Sequence, residues 1–270
     1  MAGIDEYTKL MLHCNGDDAS QTFIDSEITP KTVTAVGNAQ LDTAYKQFGT
    51  ASGLFDGTGD WLTVPDSTDW DFGNGNFTID FWVRFNTVNA IGGLISQFVS
   101  TASYWGIYTY SNGKIYFDFH NPTGAGAYTA STTSLSADTW YHFEFSRITT
   151  SAKFFIDGVS QTLTEANAFD DITFDNLASV LYVGNFPYGG AYVPFHGWID
   201  EFRISKGIAR HTSDFTPPTS EYSAVVETNM KVKISDTFKD VDSLQINIGD
   251  TWKDVVAVQQ NIGDVWKDVF

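Results

Sequence analysis

The sequence predicts an all-β protein: an antiparallel β-sandwich over residues 1–218, a linker over 219–229, and a small C-terminal β-hairpin repeat module over 230–270. Three observations carry this. Apolar and polar residues alternate with period two in several segments, as strands with one buried face require. Turn dipeptides separate the apolar runs. Aromatic residues make up 16% of the chain, and such side chains suit a pleated, half-buried surface.

Taken in order, Cys14 is expected as a small buried residue of the first strand. Phe77, Ile79, Phe81, Val83 and Phe85 share one face of a strand whose other face carries Thr78, Asp80, Trp82 and Arg84. Tyr141, Phe143 and Phe145 repeat the pattern. Ile115–Phe119 and Val180–Val183 read as further strands. Asn112-Gly113 and Asp157-Gly158, each between apolar runs, predict tight hairpins. Long helical periodicity is absent, and short helical turns are expected only near Asp66–Trp70 and Lys206–His211. Pro217-Pro218 closes this region, and a polar link follows at Thr219–Ser223. Many short strands with turns between them give an antiparallel sandwich or jelly roll. Beyond the link, Asp236-Thr-Phe238-Lys-Asp240-Val returns as Asp250-Thr-Trp252-Lys-Asp254-Val and Asp264-Val-Trp266-Lys-Asp268-Val, a period of fourteen residues. The intervening Asn-Ile-Gly-Asp supplies a turn, so each copy reads as a hairpin. Such a unit cannot bury an apolar face alone, so copies stack on one another, on the sandwich or on other subunits.

Charge narrows the partners. Fifteen Lys and Arg stand against 33 Asp and Glu, a net charge of −18. That excludes nucleic acid, whose phosphates need cationic neutralisation, and anionic membranes, and it suits divalent cations and neutral glycans. The only cysteine excludes an internal disulfide. The N-terminal residues lack the apolar run of a signal peptide, and no segment is apolar for long enough to span a bilayer.

Five segments then match, in order, one family: Leu54-Phe-Asp-Gly-Thr-Gly-Asp-Trp-Leu-Thr-Val-Pro-Asp66, Phe77-Thr-Ile-Asp-Phe-Trp-Val83, Trp140-Tyr-His142, Phe155-Ile-Asp-Gly158 and Gly197-Trp-Ile-Asp-Glu-Phe-Arg-Ile204. Together they resemble the laminin-G-like domains of the concanavalin A-like lectin/glucanase superfamily, over roughly residues 8–218. The run Asp200–Arg210 followed by Asp214-Phe-Thr-Pro-Pro218 is similar to the form found in tailed-phage virion proteins, and the Trp-Lys-Asp-Val repeats are similar to C-terminal extensions of phage tail and appendage proteins. The resemblance implies two curved antiparallel sheets and no single activity.

Simple alternation puts Asp200 on one face with Trp198, Phe202 and Ile204, where a carboxylate is costly unless paired or metal-bound. The resemblance implies calcium between Asp200 and the loop Asn15-Gly-Asp17-Asp18, whose oxygens suit a hard cation. The other reading has Asp200 accepting backbone N–H or arginine bonds, with Asp17 and Asp18 as solvated turn residues. A glycan site needs exposed rings beside polar groups. Tyr104, Tyr108 and Tyr110 share a face opposite Trp105, either as such a site or as sheet packing. Tyr188, Tyr192 and His196 belong to a Gly- and Pro-containing segment expected to be exposed. The superfamily's glycosidases carry Glu-x-Asp-x-x-Glu on one strand, and that motif is absent; Asp118, Glu144, Asp170, Asp171 and Asp175 do not form it. Glu144 with His142 could imitate an acid/base pair or simply hydrogen-bond, and the five histidines lack metal-ligand spacing. The expectation is therefore a non-catalytic phage virion protein located on the particle surface (tail fibre, tail tip or capsid decoration). It would be homo-oligomeric, bind cell-surface glycan through its lectin-like domain, and dock other virion proteins through the repeats. A bacterial carbohydrate-binding or adhesion module is the alternative, and a polysaccharide-degrading enzyme comes third.

Overall fold

A computed structural model describes residues 3–88, 90–121, 126–131, 133–148, 151–165, 173–188 and 191–223, and the strands 245–248, 251–254, 259–262 and 265–268. The chain forms two compact units, residues 1–225 and 226–270. The strands of the first are β1 (Thr8–Leu12), β2 (Thr34–Val36), β3 (Gln40–Asp42), β4 (Ser52–Asp56), β5 (Trp61–Val64), β6 (Phe77–Phe85), β7 (Gly92–Ser100), β8 (Ser103–Thr109), β9 (Ile115–His120), β10 (Gly126–Ala130), β11 (Trp140–Ile148), β12 (Ser151–Ile156), β13 (Val159–Ser160), β14 (Thr164–Glu165), β15 (Leu181–Val183), β16 (Asn185–Tyr188), β17 (Ala191–Pro194) and β18 (His196–Lys206). They build two antiparallel eight-stranded sheets. The first runs β13-β12-β11-β6-β18-β4-β3 with β1 also paired to β18; the second runs β14-β10-β9-β8-β7-β15-β5-β2. The small sheet β16-β17 is separate.

The period-two pattern becomes the core. Phe77, Ile79, Phe81, Val83, Phe143 and Phe145 of the first sheet meet Leu62, Ile95, Trp105, Ile107, Ile115 and Phe117 of the second in one buried cluster. Phe117 and Phe145 stack across the layers with centroids 4.2 Å apart. Both predicted tight hairpins form. Asp157 and Gly158 take φ of 51° and 74°, the left-handed pair a type I′ turn demands, and Gly113 sits between β8 and β9 at φ 72°.

Four local expectations change. Cys14 is buried but lies past the end of β1. A 3-10 turn forms at Thr68–Trp70, capped by the Ser67 side chain, but residues 207–211 are not helical. There Gly207 is at φ 91°, and Thr78 holds Ile208 and Arg210 through the Ile208 carbonyl and the Arg210 N–H. Asp200 does not share a face with Phe202 and Ile204. Pairing of β18 with β6 shifts between Asp200 and Arg203, with Glu201 at φ 50°. This bulge adds a residue and flips the alternation, so Phe202 and Ile204 join the core while Asp200 stays on the outer side with Trp198. Finally, the link beginning at Thr219 is bound to the sandwich at its end: Ile4 N–H donates to the Ser223 carbonyl, and Tyr222 is buried against Ile4 and Met11.

In the second unit β19 (Gln245–Ile248) pairs with β20 (Thr251–Asp254), and β21 (Gln259–Ile262) pairs with β22 (Val265–Asp268). Asn247 lies opposite Trp252, and Asn261 opposite Trp266, so two repeats adopt the same hairpin register. The first repeat, 236–241, lies outside the described residues.

Candidate functional site

Each sheet has an outer face, and the two differ. On the first, alternation sends Asp80, His142, Glu144, Asp200 and Arg203 away from the core, yet all are buried. The chain's own segments cover them. Phe48 meets the Trp82 ring edge-on at 5.7 Å, Tyr45 lies 4.8 Å from Trp198, and Phe215 lies 5.7 Å from His142. Buried polar groups need partners, and these have them except at His142 Nδ1, which is buried without one. Arg203 forks onto Asp80 with Nε to Oδ1 3.0 Å and Nη2 to Oδ2 3.1 Å, while Tyr222 donates its hydroxyl to the same carboxylate. Burial opposes the charge on Asp80, but Arg203 holds its carboxyl below the ordinary range. Burial pushes His142 down to about 4 against the pull of Asp80, so the ring is neutral. Glu144 accepts from Ser146 at 2.6 Å and meets His211 Nδ1 at 2.7 Å. Glu144 and His142 thus serve separate contacts, and Glu144 is closed off from solvent.

Asp200 belongs to this covered face. Its Oδ2 accepts from Gln47 N–H at 2.9 Å and Phe48 N–H at 3.0 Å, and Oδ1 accepts from Glu201 N–H at 2.8 Å. Burial raises its pKa to about 7, and those bonds temper the rise. Asp18 accepts from Thr43 N–H and hydroxyl instead, and Asp17 is exposed. Among the described residues one trio of potential ligands has its atoms within 4.8 Å of one another: His13, Glu201 and Glu221. Asp17, Asp18 and Asp200 form no such group, and the Asp200 oxygens accept from three backbone N–H groups. The trio itself is knitted by hydrogen bonds: His13 Nδ1 lies 2.6 Å from Glu201, Tyr222 N–H donates to Glu201 at 2.7 Å, and Asn15 donates to Glu221.

The outer face of the second sheet is aromatic. Trp61, Tyr104, Tyr108, Tyr116 and Tyr182 alternate with core residues and so point outward. Tyr108 stacks on Tyr116 at 5.6 Å, and Tyr110, partly exposed, meets Tyr116 edge-on at 5.8 Å. Tyr104 and Tyr108 are buried, with Phe186 against both at 5.4 and 5.0 Å. The Tyr104 hydroxyl donates to Asp118 at 2.9 Å, and burial raises the Asp118 carboxyl.

Phe186 arrives on β16, whose hairpin with β17 lies on this face. Glycines make the seat: a Cβ on Gly93 would come within 2.0 Å of Phe186 N, and one on Gly106 within 2.9 Å of its ring. The Asn185 side-chain oxygen accepts from Val193 N–H at 3.1 Å and ties the two arms. The hairpin then presents Tyr192, 57% exposed, stacked on Trp61 at 4.8 Å and 18°. Tyr182 stands beside it, centroids 6.2 Å apart at 59°.

Of the residues expected to bind glycan, Tyr104, Tyr108, Tyr110 and Tyr192 therefore share one face. His196 does not: it opens β18 on the first sheet, opposite Asp56. The Tyr188 side chain lies outside the described residues. Trp61 and Tyr182 were not singled out from sequence, although Trp61-Leu-Thr-Val64 and Leu181-Tyr-Val183 both alternate ring-out and aliphatic-in.

The Concanavalin A-like lectin/glucanases superfamily matches residues 56–212. No curated protein matches the sequence. Among solved structures, the chain is similar to Domain 4 of AbnA, a GH43 extracellular arabinanase from Geobacillus stearothermophilus, in complex with arabinotriose. The TM-score is 0.55 at 19% identity, over 76% of this chain and 95% of that one. It is also similar to the botulinum neurotoxin serotype D binding domain, with a TM-score of 0.56 at 17% identity over 76% of this chain and 49% of that one. A third is the botulinum neurotoxin DC binding domain in complex with rat synaptotagmin II, at 0.55 and 16% over 76% and 49%. The chain thus spans about half the length of the toxin binding domains it matches.

Proposed function

The chain belongs to the Concanavalin A-like lectin/glucanases superfamily, and on that premise we propose that it is a non-catalytic, glycan-binding structural protein of a tailed-phage particle. The observation that carries the binding role is the contrast between faces: the first sheet is sealed by the chain itself, while the second offers aromatic rings to solvent. Rings joining an apolar surface to a polar tip suit sugars, which are apolar on one face and hydroxylated at the edge. The covered state of Glu144, bonded to Ser146 and His211, supports a binding rather than a catalytic role. The virion assignment is supported by the sequence resemblance and by the fourteen-residue repeats, which would dock the chain to other virion proteins or hold it as a homo-oligomer. Several copies on one particle turn weak sugar binding into useful avidity.

Electron microscopy of purified particles tests this. Density for the chain on capsid or tail, anchored through residues 230–270, is expected; particles lacking it overturn the virion assignment. A free-standing bacterial carbohydrate-binding or adhesion module is the second reading. It is favoured by the match to nearly the whole of the arabinanase domain, whose complex holds arabinotriose, and genes for secretion rather than for tail or capsid beside this one would support it.

A further inference from the structure

Resting on the glycan-binding reading, we infer that the sugar platform is Trp61 with Tyr182 and Tyr192, and that it takes neutral rather than carboxylated oligosaccharides. The three rings come from three strands, with Trp61 more than a hundred residues before Tyr182 and Tyr192. Tyr192 lies nearly parallel over Trp61 at 18°, and Tyr182 is tilted beside it at 59°, which makes a floor and a wall. Each ring is held before any ligand arrives. Trp61 and Tyr182 lie on strands paired on both sides, and Tyr192 on the hairpin seated through Phe186. A ligand therefore meets rings already ordered, which lowers the entropic cost of binding.

Charge selects the ligand class. In register beside Tyr182 lie Thr63 and, beyond it, Thr34, which bring hydroxyl groups and no cation, whereas Ser96 on the other side is buried and gives its hydroxyl to the Asn185 carbonyl. At those register positions a sugar carboxylate would find no Lys or Arg, and it would face the field of a chain with net charge −18. A neutral sugar needs only a ring to stack on and hydroxyl groups to bond.

The test is a glycan array carrying neutral and carboxylated oligosaccharides, probed with the full chain, followed by calorimetric titration of the bound glycans against Tyr192→Ala, Trp61→Ala and Tyr192→Phe. Neutral glycans are expected to bind, with an affinity loss of at least about tenfold in both alanine variants and a small loss in Tyr192→Phe. Tyr192 is exposed, so its variants keep the fold, and an unchanged melting temperature confirms it. Binding confined to carboxylated glycans overturns the inference, as does neutral-glycan binding that Tyr192→Ala leaves unchanged; either leaves the glycan-binding role standing. An array without any bound glycan removes that role itself.

Discussion

The outer face of the first sheet carries Asp80, His142, Glu144, Asp200 and Arg203, every one buried; on that of the second Tyr104, Tyr108 and Tyr116 are buried, but Trp61 and Tyr182, with Tyr192 of the hairpin laid on it, are not. Both faces alternate against the same core, so the core does not explain the contrast. The difference is what lies on top. Over the first sheet run the segment at 45–48 and the residues from His211 to Tyr222, and under their cover the carboxylates Asp80, Glu144 and Asp200 are all held in hydrogen bonds. Over the second, among the described residues, lies the β16-β17 hairpin, which packs Phe186 on the face and adds an exposed ring. Charge placed on a covered face locks the fold, whereas rings left on an open face are available to a ligand.

The largest effect is expected from the covered side. Asp80→Ala strips both Arg203 and Tyr222 of their partner and leaves a buried guanidinium uncompensated, so it should cost roughly 3–5 kcal/mol in denaturant unfolding. A loss under about 1 kcal/mol would mean that water reaches this network and the face is not sealed.

His142 gives the face a pH signature. Its folded pKa of about 4 lies below the ordinary histidine value of 6.5, so the unfolded chain binds the proton first as pH falls. Stability from this group is full above about 6.5 and is lost as pH drops towards 4, by roughly 3 kcal/mol in all. His13, raised by Glu201 despite burial, acts in the opposite sense, its contribution disappearing as pH rises through its folded value. The comparison that isolates His142 is therefore wild type against His142→Gln: the variant should show a flatter fall in stability from pH 6.5 to 4. Parallel curves would show that His142 titrates in the fold as it does in the unfolded chain.

The hairpin seat should respond more mildly. Gly93→Ala forces a methyl group into the Phe186 backbone and should cost about 1–3 kcal/mol, with weaker glycan binding as Tyr192 is displaced. Unchanged melting and binding would show that the seat yields freely. The smallest effect concerns calcium. Because three backbone N–H groups already occupy the Asp200 carboxylate, adding calcium or a chelator should move the melting temperature by less than about 1 °C. A drop of several degrees on chelation, reversed by calcium, would show that the Asp17-Asp18 loop rearranges to ligate it.

Much of this could be read in the sequence. The strand Phe77–Phe85 shows its core face by alternation alone, and Asp157-Gly158 shows its turn by chemistry, because both signals are local. Asp200 was misplaced because a single bulge at Glu201 inverts every later side chain, and alternation carries no mark of an extra residue. Tyr104 and Tyr108 were legible as facing one way, but not as buried, since Phe186 covers them from some eighty residues away. Trp61 and Tyr182 each stood in a legible outward position and were passed over, because an isolated ring in a short strand resembles ordinary sheet packing until Tyr192 is brought against it.

The sequence by itself determined the all-β class, the shared core, the hairpin turns and the repeated hairpin register, all of which follow from interactions between residues near one another or from strict periodicity. The tertiary structure decided which outer face is covered and which is open, which backbone N–H groups reach Asp200, and where separate rings converge. Those outcomes depend on chain segments from tens to more than a hundred residues apart coming together, and local pattern does not encode that geometry.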